Sequence, residues 1–139
     1  MPNEPPICLI VDDEPDTCWA LKHVLAKQGV RSRFALRAEQ ALEEVRRFPY
    51  ALALLDAKLP DLDGLELARR IRALRPGIPI IVVSGYFYSD DTTIQEALGS
   101  GLIQGFVSKP FLHEDIARSV DRVLTLRTDS RNRGTGATE

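Results

Sequence analysis

The chain has few of the features that mark secreted or membrane-spanning proteins. It holds only two cysteines among its 139 residues, too few for a disulfide framework, and no histidines cluster with them to form a zinc site. No apolar run is long enough to cross a bilayer. The N-terminal MPNEPP lacks the basic and hydrophobic segments of an export signal. We therefore expect a cytoplasmic location, with Cys8 and Cys18 as reduced, partly buried thiols.

An excess of either charge is also missing. Lysine and arginine number 18 against 20 aspartates and glutamates, which gives a net charge of −2. Such a balance offers no electrostatic reason to expect direct nucleic-acid binding. Hydrophobic residues at 44% and charged residues at 27% are ordinary for one globular domain of this length.

What the sequence does contain is a regular alternation of apolar runs and helical-period segments. It predicts strands at 7–11, 31–35, 50–56, 78–85 and 103–108, and helices over 15–28, 38–48, 65–74, from 90–93 to about 99, and from 112. Five strands alternating with five helices predict an α/β fold with a parallel sheet covered by helices on both faces. The periodicity stops near residue 126. We expect an N-terminal extension over 1–6, one domain over 7–126, and a disordered tail or linker over 127–139.

Polar residues follow the predicted strands at their carboxyl ends, where binding sites lie in such sheets. They are Asp12, Asp13, Asp56, Ser84 and Lys109. Three carboxylates in one cleft repel each other unless a cation joins them, and hard oxygen ligands point to Mg²⁺. Metal, ammonium and hydroxyl together suit a phosphoryl group. Asp56 stands alone at its strand end and is the best candidate for a nucleophile.

The pieces VDDE, LLDAKLPDLDG, VVSGY and FVSKPF, in this order, resemble the receiver domain of two-component response regulators. The resemblance runs from about residue 7 to 126 and implies a flavodoxin-like sheet in the order 2-1-3-4-5. By this resemblance, Asp56 is the phosphoacceptor. Asp13, Asp56 and the backbone carbonyl of Lys58 would bind Mg²⁺ directly, and Asp12 would hold it through water.

The resemblance also assigns a switch. Lys109 would pair with the phosphoryl oxygens, and Ser84 would hydrogen-bond to the phosphate and move when it arrives. Phe106 occupies the place of a switch aromatic, although a strand phenylalanine is also ordinary core. The Lys109–Pro110 bond is expected to be cis, as in the family.

The implied function is a phosphorylation-dependent switch rather than a turnover enzyme. A histidine kinase or histidine phosphotransfer protein would supply the phosphoryl group. A downstream protein would bind the face made by the fourth helix, fifth strand and fifth helix, and a homodimer is compatible with the family. The sequence leaves open a stand-alone regulator or a part of a longer protein.

Three other functions compete with this interpretation. A receiver-like binding module that never carries phosphate is opposed by the complete set of acids, hydroxyl and lysine. A phosphatase of the haloacid-dehalogenase type would want a second acid two places after its nucleophile, where Lys58 stands. A nucleotide binder would want a glycine-rich loop after the first strand.

Aromatic residues raise two further hypotheses. Trp19 lies off the apolar stripe of the first helix and either packs beside a loop or anchors a kinase helical bundle. Tyr86, Phe87 and Tyr88 lie in a segment longer than usual for the family. We expect bulky Lys58 and Tyr86 to hinder the attacking water and lengthen the lifetime of the phosphoryl group.

Overall fold

The computed structural model describes residues 5–86 and 91–137, those after 125 by their backbone alone. Within this part, strands and helices alternate along the chain. The elements are β1 Ile7–Val11, α1 Pro15–Lys27, β2 Arg31–Ala35, α2 Ala38–Arg47, β3 Leu52–Leu55, α3 Gly64–Leu74, β4 Ile80–Ser84, α4 Thr92–Gly99, β5 Gly105–Ser108 and α5 His113–Ala137. The predicted α/β alternation is confirmed.

The strands form one parallel sheet in the order β2-β1-β3-β4-β5. The order implied for the flavodoxin-like fold is therefore confirmed. Because β1 sits between β2 and β3, the chain reverses its direction of winding after β2. The carboxyl ends of β1 and β3 lie side by side at that point, which is where parallel sheets place their binding sites.

The core consists of two apolar layers on opposite faces of the sheet. Leu9 and Val11 of β1 pack into the layer that holds the buried residues of α2, α3 and α4. Cys8 and Ile10 pack into the layer beneath α1 and α5. This division follows from the strand geometry, since successive side chains point to opposite faces. Both cysteines are free, as expected, and they are fully rather than partly buried.

Local sequence explains where several helices begin. Pro15 stands in the first turn of α1, where the missing amide hydrogen does no harm. Asp63 caps α3 by accepting from the backbone amide of Leu65, and Asp91 caps α4 by accepting from that of Thr93. The capping residue of α4 lies within the range that the sequence predicts for the start of that helix.

The observed elements differ from the predicted ones mainly at their ends. β3 spans Leu52–Leu55 and β5 spans Gly105–Ser108, so both are shorter than the apolar runs that predict them. α5 continues to Ala137, whereas the sequence predicts a disordered tail or linker from residue 127. Phe87 and Tyr88 lie outside the described residues.

The outer strand β2 is charged. Arg31 donates to the carbonyl of Pro5, and Arg33 makes a two-pronged ion pair with Glu44 of α2 at 2.9 and 3.2 Å. Arg33 also lies over the Phe48 ring at 4.6 Å. Across residues 5–86 and 91–137, no helix combines the length and the apolar content required to cross a membrane.

Candidate functional site

The sheet brings the predicted polar residues to one edge. Asp12 and Asp56 directly follow β1 and β3, Ser84 ends β4, and Lys109 directly follows β5. Backbone hydrogen bonds fix their places, because Asp56 N donates to Val11 O at 2.8 Å and Lys109 N donates to Ser84 O at 3.0 Å. Residues that are far apart in the sequence thus meet at the carboxyl ends of neighbouring strands.

The acidic residues form a compact cluster. One carboxylate oxygen from each of Asp12, Asp13 and Asp56 lies within 4.8 Å of the others. Asp12 is 2% exposed and Asp56 is 8% exposed, whereas Asp13 faces solvent. Buried carboxylates at this spacing need a positive charge nearby, and their hard oxygens suit a small divalent cation. The donor set therefore fits Mg²⁺.

Lys109 supplies the positive charge within the protein. Its ammonium lies 2.8 Å from Asp12 Oδ2, 3.8 Å from Asp56 Oδ2 and 3.9 Å from Glu14 Oε1. Burial disfavours the charged amine, but the hydrogen bond to Asp12 and the surrounding acids outweigh burial and raise the pKa of Lys109. The ammonium is therefore held charged among three carboxylates.

Asp56 is in a less favourable setting for a charge. Burial raises the pKa of its carboxyl above the ordinary value and Asp12 adds to this, while Lys109, the Lys58 amide and the Ser84 hydroxyl oppose it. The net effect disfavours the ionised form of Asp56, so a further cation beside this carboxylate would stabilise it. That property suits a residue that either binds a metal or reacts as a nucleophile.

Ser84 and Tyr86 line the side of the site formed by β4. The buried Ser84 hydroxyl accepts from the backbone amide of Tyr86 at 3.0 Å, which ties it to the following turn. Gly85 between them lies directly beside Lys109, since an added Cβ would be in ordinary van der Waals contact with Lys109 Cβ at 3.6 Å. The exposed Tyr86 ring is covered by Lys58 Nζ at 4.4 Å from its centroid. This cation–π contact joins the loop after β3 to the turn after β4.

The family model for the response regulator receiver domain matches residues 8–121. The chain belongs to this family. Receiver domains of two-component response regulators are phosphorylated on an aspartate, and response regulators interact with histidine kinases and output domains. The resemblance seen in the sequence is thereby confirmed, and the non-phosphorylated binding module is not favoured.

Curated relatives differ in how much of their length this chain covers. The receiver domain is 33% identical over 121 residues to sporulation initiation phosphotransferase F of Bacillus subtilis, with 87% of this chain and 95% of that protein covered. It is 31% identical over 116 residues to transcriptional regulatory protein ZraR of Escherichia coli K12, with 84% of this chain covered. The chain spans only 26% of the length of ZraR. The similarity to ZraR therefore concerns a receiver portion alone.

The fold is shared with solved receiver structures. A CheY-like response regulator receiver domain from Methanospirillum hungatei JF-1 superimposes with a TM-score of 0.83 at 27% identity. The match covers 91% of this chain and 98% of that one.

Other residues singled out in the sequence have plainer surroundings in this receiver domain. Phe106 is partly buried against the layer of α2, α3 and α4. The Lys109–Pro110 bond is cis, as the resemblance implies. Trp19 is 59% exposed, with its ring edge-on to Phe34 at 6.0 Å.

The Cys18 thiol donates to the carbonyl of Asp12 at 3.4 Å. Burial, with help from Asp12, raises the pKa of Cys18 to about 11, so it remains a thiol.

Two residues of the receiver domain matter to the site and are not found by sequence reasoning beyond turn chemistry. An added Cβ on Gly64 would lie 2.1 Å from the backbone oxygen of Asp56, so only glycine lets α3 start this close to the acid. Asp61 accepts from the backbone amides of Ala38 and Glu39, at 2.9 and 3.0 Å. The sequence gives one indication of this contact: Arg37 stands before α2, and an arginine side chain is not a helix cap, so the cap must come from another part of the chain.

Proposed function

We propose that Asp56 is the phosphoacceptor of this receiver domain. The observation that carries the proposal is the position of its carboxylate, which lies in the acidic cluster and 3.8 Å from the Lys109 ammonium. Asp12 is engaged by Lys109 at 2.8 Å and by the Glu14 amide at 2.9 Å. Asp56 is therefore the buried acid with the weaker hold on the lysine and the better nucleophile.

In the proposed reaction, an oxygen of Asp56 attacks the phosphorus of a phosphohistidine. The P–N bond breaks as the new P–O bond forms, and the imidazole leaves with the electron pair of the broken bond. The product is an acyl phosphate on Asp56. Lys109 would pair with the phosphoryl oxygens, and the Ser84 hydroxyl, whose oxygen accepts from the Tyr86 amide, would donate its hydrogen to one of them.

We propose Asp12, Asp13, Asp56 and the backbone carbonyl of Lys58 as the residues that hold Mg²⁺. When bound, the ion would offset the charge that the phosphoryl group adds to three carboxylates. The chain's own part is to supply the oxygen ligands, which the sheet edge has already gathered.

The proposed output is a population shift between two arrangements of the domain. Phosphorylation would stabilise the arrangement in which Ser84 and Lys109 both contact the phosphoryl group. Phe106, the second residue of β5, would change its packing and alter the face formed by α4, β5 and α5. A downstream protein, or a second copy of the chain, would bind that face.

The donor is proposed to be a histidine kinase or a histidine phosphotransfer protein, in the cytoplasm. The chain would act as a switch that assists its own phosphorylation and dephosphorylation, without turning over another substrate. Residues 7–126 would form the receiver unit, 1–6 an extension, and 127–139 a linker or tail.

Phosphotransfer from candidate histidine kinases to wild type and to Asp56→Asn tests the proposal. We expect a Mg²⁺-dependent, acid-stable and base-labile adduct on wild type, and none on Asp56→Asn. Beryllofluoride with Mg²⁺, read out by Trp19 fluorescence, serves as a donor-free check. A wild-type chain that responds neither to the kinases nor to beryllofluoride would act as a binding module that carries no phosphate.

A further inference from the structure

α2 is capped by a residue from a different part of the chain. Arg37 precedes the helix in an extended conformation and makes no side-chain cap. The first two helical amides, of Ala38 and Glu39, donate instead to the two carboxylate oxygens of Asp61 at 2.9 and 3.0 Å. Since each oxygen takes one amide, the carboxylate is fixed in both position and rotation.

Asp61 lies in the loop that carries the acceptor acid at its start. Lys58 and Asp63 form an isolated antiparallel bridge across that loop, and Gly64 N donates to Ala57 O at 2.8 Å. These backbone contacts join the two ends of the loop, and Asp61 holds the middle of the loop against α2. Because these backbone contacts constrain the loop, the position of Asp61 restrains the backbone of Lys58.

The strand that precedes α2 also contacts the acidic cluster. Ala35, the last residue of β2, accepts from the backbone amide of Asp12 at 3.1 Å. A path of hydrogen bonds and chain segments therefore runs from Asp12 through Ala35 and the first turn of α2 to Asp61, and then along the loop to Asp56. The hydrogen bond from Asp56 N to Val11 O closes this path into a ring. Both buried acids of the cluster lie on this ring.

We propose that Asp61 is a positioning residue for the acidic cluster, which holds the loop after β3 against α2 and thereby sets the affinity of the cluster for a divalent cation. This inference rests on the proposed function to the extent that the cluster binds Mg²⁺. An ordinary cap stabilises only its own helix. Asp91 is such a cap, since it accepts from Thr93 N at 2.8 Å in its own turn.

The test compares Asp61→Ala with Asp91→Ala in the full chain. Amide hydrogen exchange without metal reads the loop, and calorimetric titration with Mg²⁺ reads the cluster. In Asp61→Ala we expect faster exchange at Gly64 and a dissociation constant for Mg²⁺ raised about tenfold. In Asp91→Ala, exchange at Gly64 and Mg²⁺ affinity stay within about twofold of wild type, although both variants lose a cap.

Asp61→Asn separates position from charge, because it removes the charge and keeps one acceptor oxygen. It should lie closer to wild type than Asp61→Ala, and it also serves as the measurable variant where the alanine chain does not fold. Equal losses in both variants would assign the effect to long-range charge and overturn the proposal. Unchanged Mg²⁺ affinity in Asp61→Ala would show that Asp61 only caps α2, and would overturn the proposal. Absence of Mg²⁺ binding by wild type would instead reject the proposed function, and this inference with it.

Discussion

Lys109 Nζ lies 2.8 Å from Asp12 Oδ2, although 97 positions separate the two residues in the chain. Asp12 is almost completely buried and Lys109 is largely so. The pair therefore belongs to the class of desolvated ion pairs in which loss of one partner strands the other charge. Among the side chains that the structure describes, Lys109 is the cation that forms an ion pair with Asp12.

Replacing the lysine should consequently destabilise the metal-free protein. We expect Lys109→Met to lower the free energy of unfolding by about 3 kcal/mol without Mg²⁺, because Asp12 loses its partner. The deficit should shrink when Mg²⁺ is added, since the ion brings new positive charge to the same acids. Urea denaturation with and without Mg²⁺ measures both effects. Arg118→Met, which removes an exposed 4.0 Å contact to Asp115, should change stability by less than about 0.5 kcal/mol. Equal losses in the two variants would contradict this prediction.

Asp56→Asn should have the opposite effect on stability. Burial, reinforced by Asp12, raises the pKa of Asp56 in the folded chain, so the folded state binds this proton more readily than the unfolded state. The ionised carboxylate therefore destabilises the fold at neutral pH, and this penalty disappears as the pH falls through the raised pKa. Without metal, we expect Asp56→Asn to be about 1 kcal/mol more stable than wild type at pH 7, with the gap closing in acid.

The control for Asp56→Asn is the same substitution at an acid outside the acidic cluster. Asp121 is exposed on α5, and Asp121→Asn should leave the unfolding free energy within about 0.5 kcal/mol of wild type at either pH. An Asp56→Asn chain less stable than wild type at neutral pH would show that Lys109 outweighs burial at this site.

Gly64 should tolerate no side chain. A Cβ there would lie 2.1 Å from Asp56 O and 2.7 Å from Ala57 Cα, so Gly64→Ala must displace either α3 or the acceptor backbone. We expect a loss of at least about 2 kcal/mol in the free energy of unfolding, and weaker Mg²⁺ binding. Gly77→Ala is the matched control, because nothing lies within 4 Å of its added Cβ. Thermal unfolding of both variants decides the matter, and a Gly64→Ala chain as stable as Gly77→Ala would refute the close approach.

The contact between Lys58 and Tyr86 should slow hydrolysis of the acyl phosphate. Lys58 Nζ lies 4.4 Å from the Tyr86 ring centroid, and the two residues follow Asp56 and Ser84 by two positions each. We expect Lys58→Ala and Tyr86→Ala each to shorten the lifetime of the phosphoryl group about threefold, as loss of a modest cation–π contact predicts.

The double variant should add little to either single change if the two residues act as one unit. Phosphate release from radiolabelled protein gives the rates. Lys22→Ala removes a similar cation–π contact to Trp19 on α1 and should leave the lifetime unchanged. Unaltered rates in all three Lys58 and Tyr86 variants would reject the shielding role.

The site could be predicted from sequence to the extent that it depends on strand ends. Apolar runs that stop at Asp12, Asp56 and Ser84 mark the carboxyl ends of strands, and parallel pairing then brings these ends together whatever the details of packing. Lys109 is found by the same reasoning. The cluster of acids and the lysine beside it are where this argument puts them.

What the sequence does not disclose are contacts that depend on how loops dock. Asp61 reads as turn chemistry, and nothing local says that its carboxylate caps a helix more than twenty positions earlier. The role of Gly64 is equally hidden, because the atom that excludes a side chain belongs to Asp56 across the loop. Strand ends are also imprecise, since an apolar residue such as Ile103 can pack in the core without pairing in β5.

The arginines of β2 have a consequence for the behaviour of the chain in crowded solution. An outermost strand offers unpaired peptide groups to any passing strand, and this is a route to amyloid-like stacking. Arg31 and Arg33 place charged side chains along this edge, and charged side chains on an outer strand oppose the addition of a neighbouring strand. At the opposite edge, β5 is only four residues long and offers little length to template. Self-association that leads to fibres is thereby discouraged, while the helical faces stay available for reversible contacts.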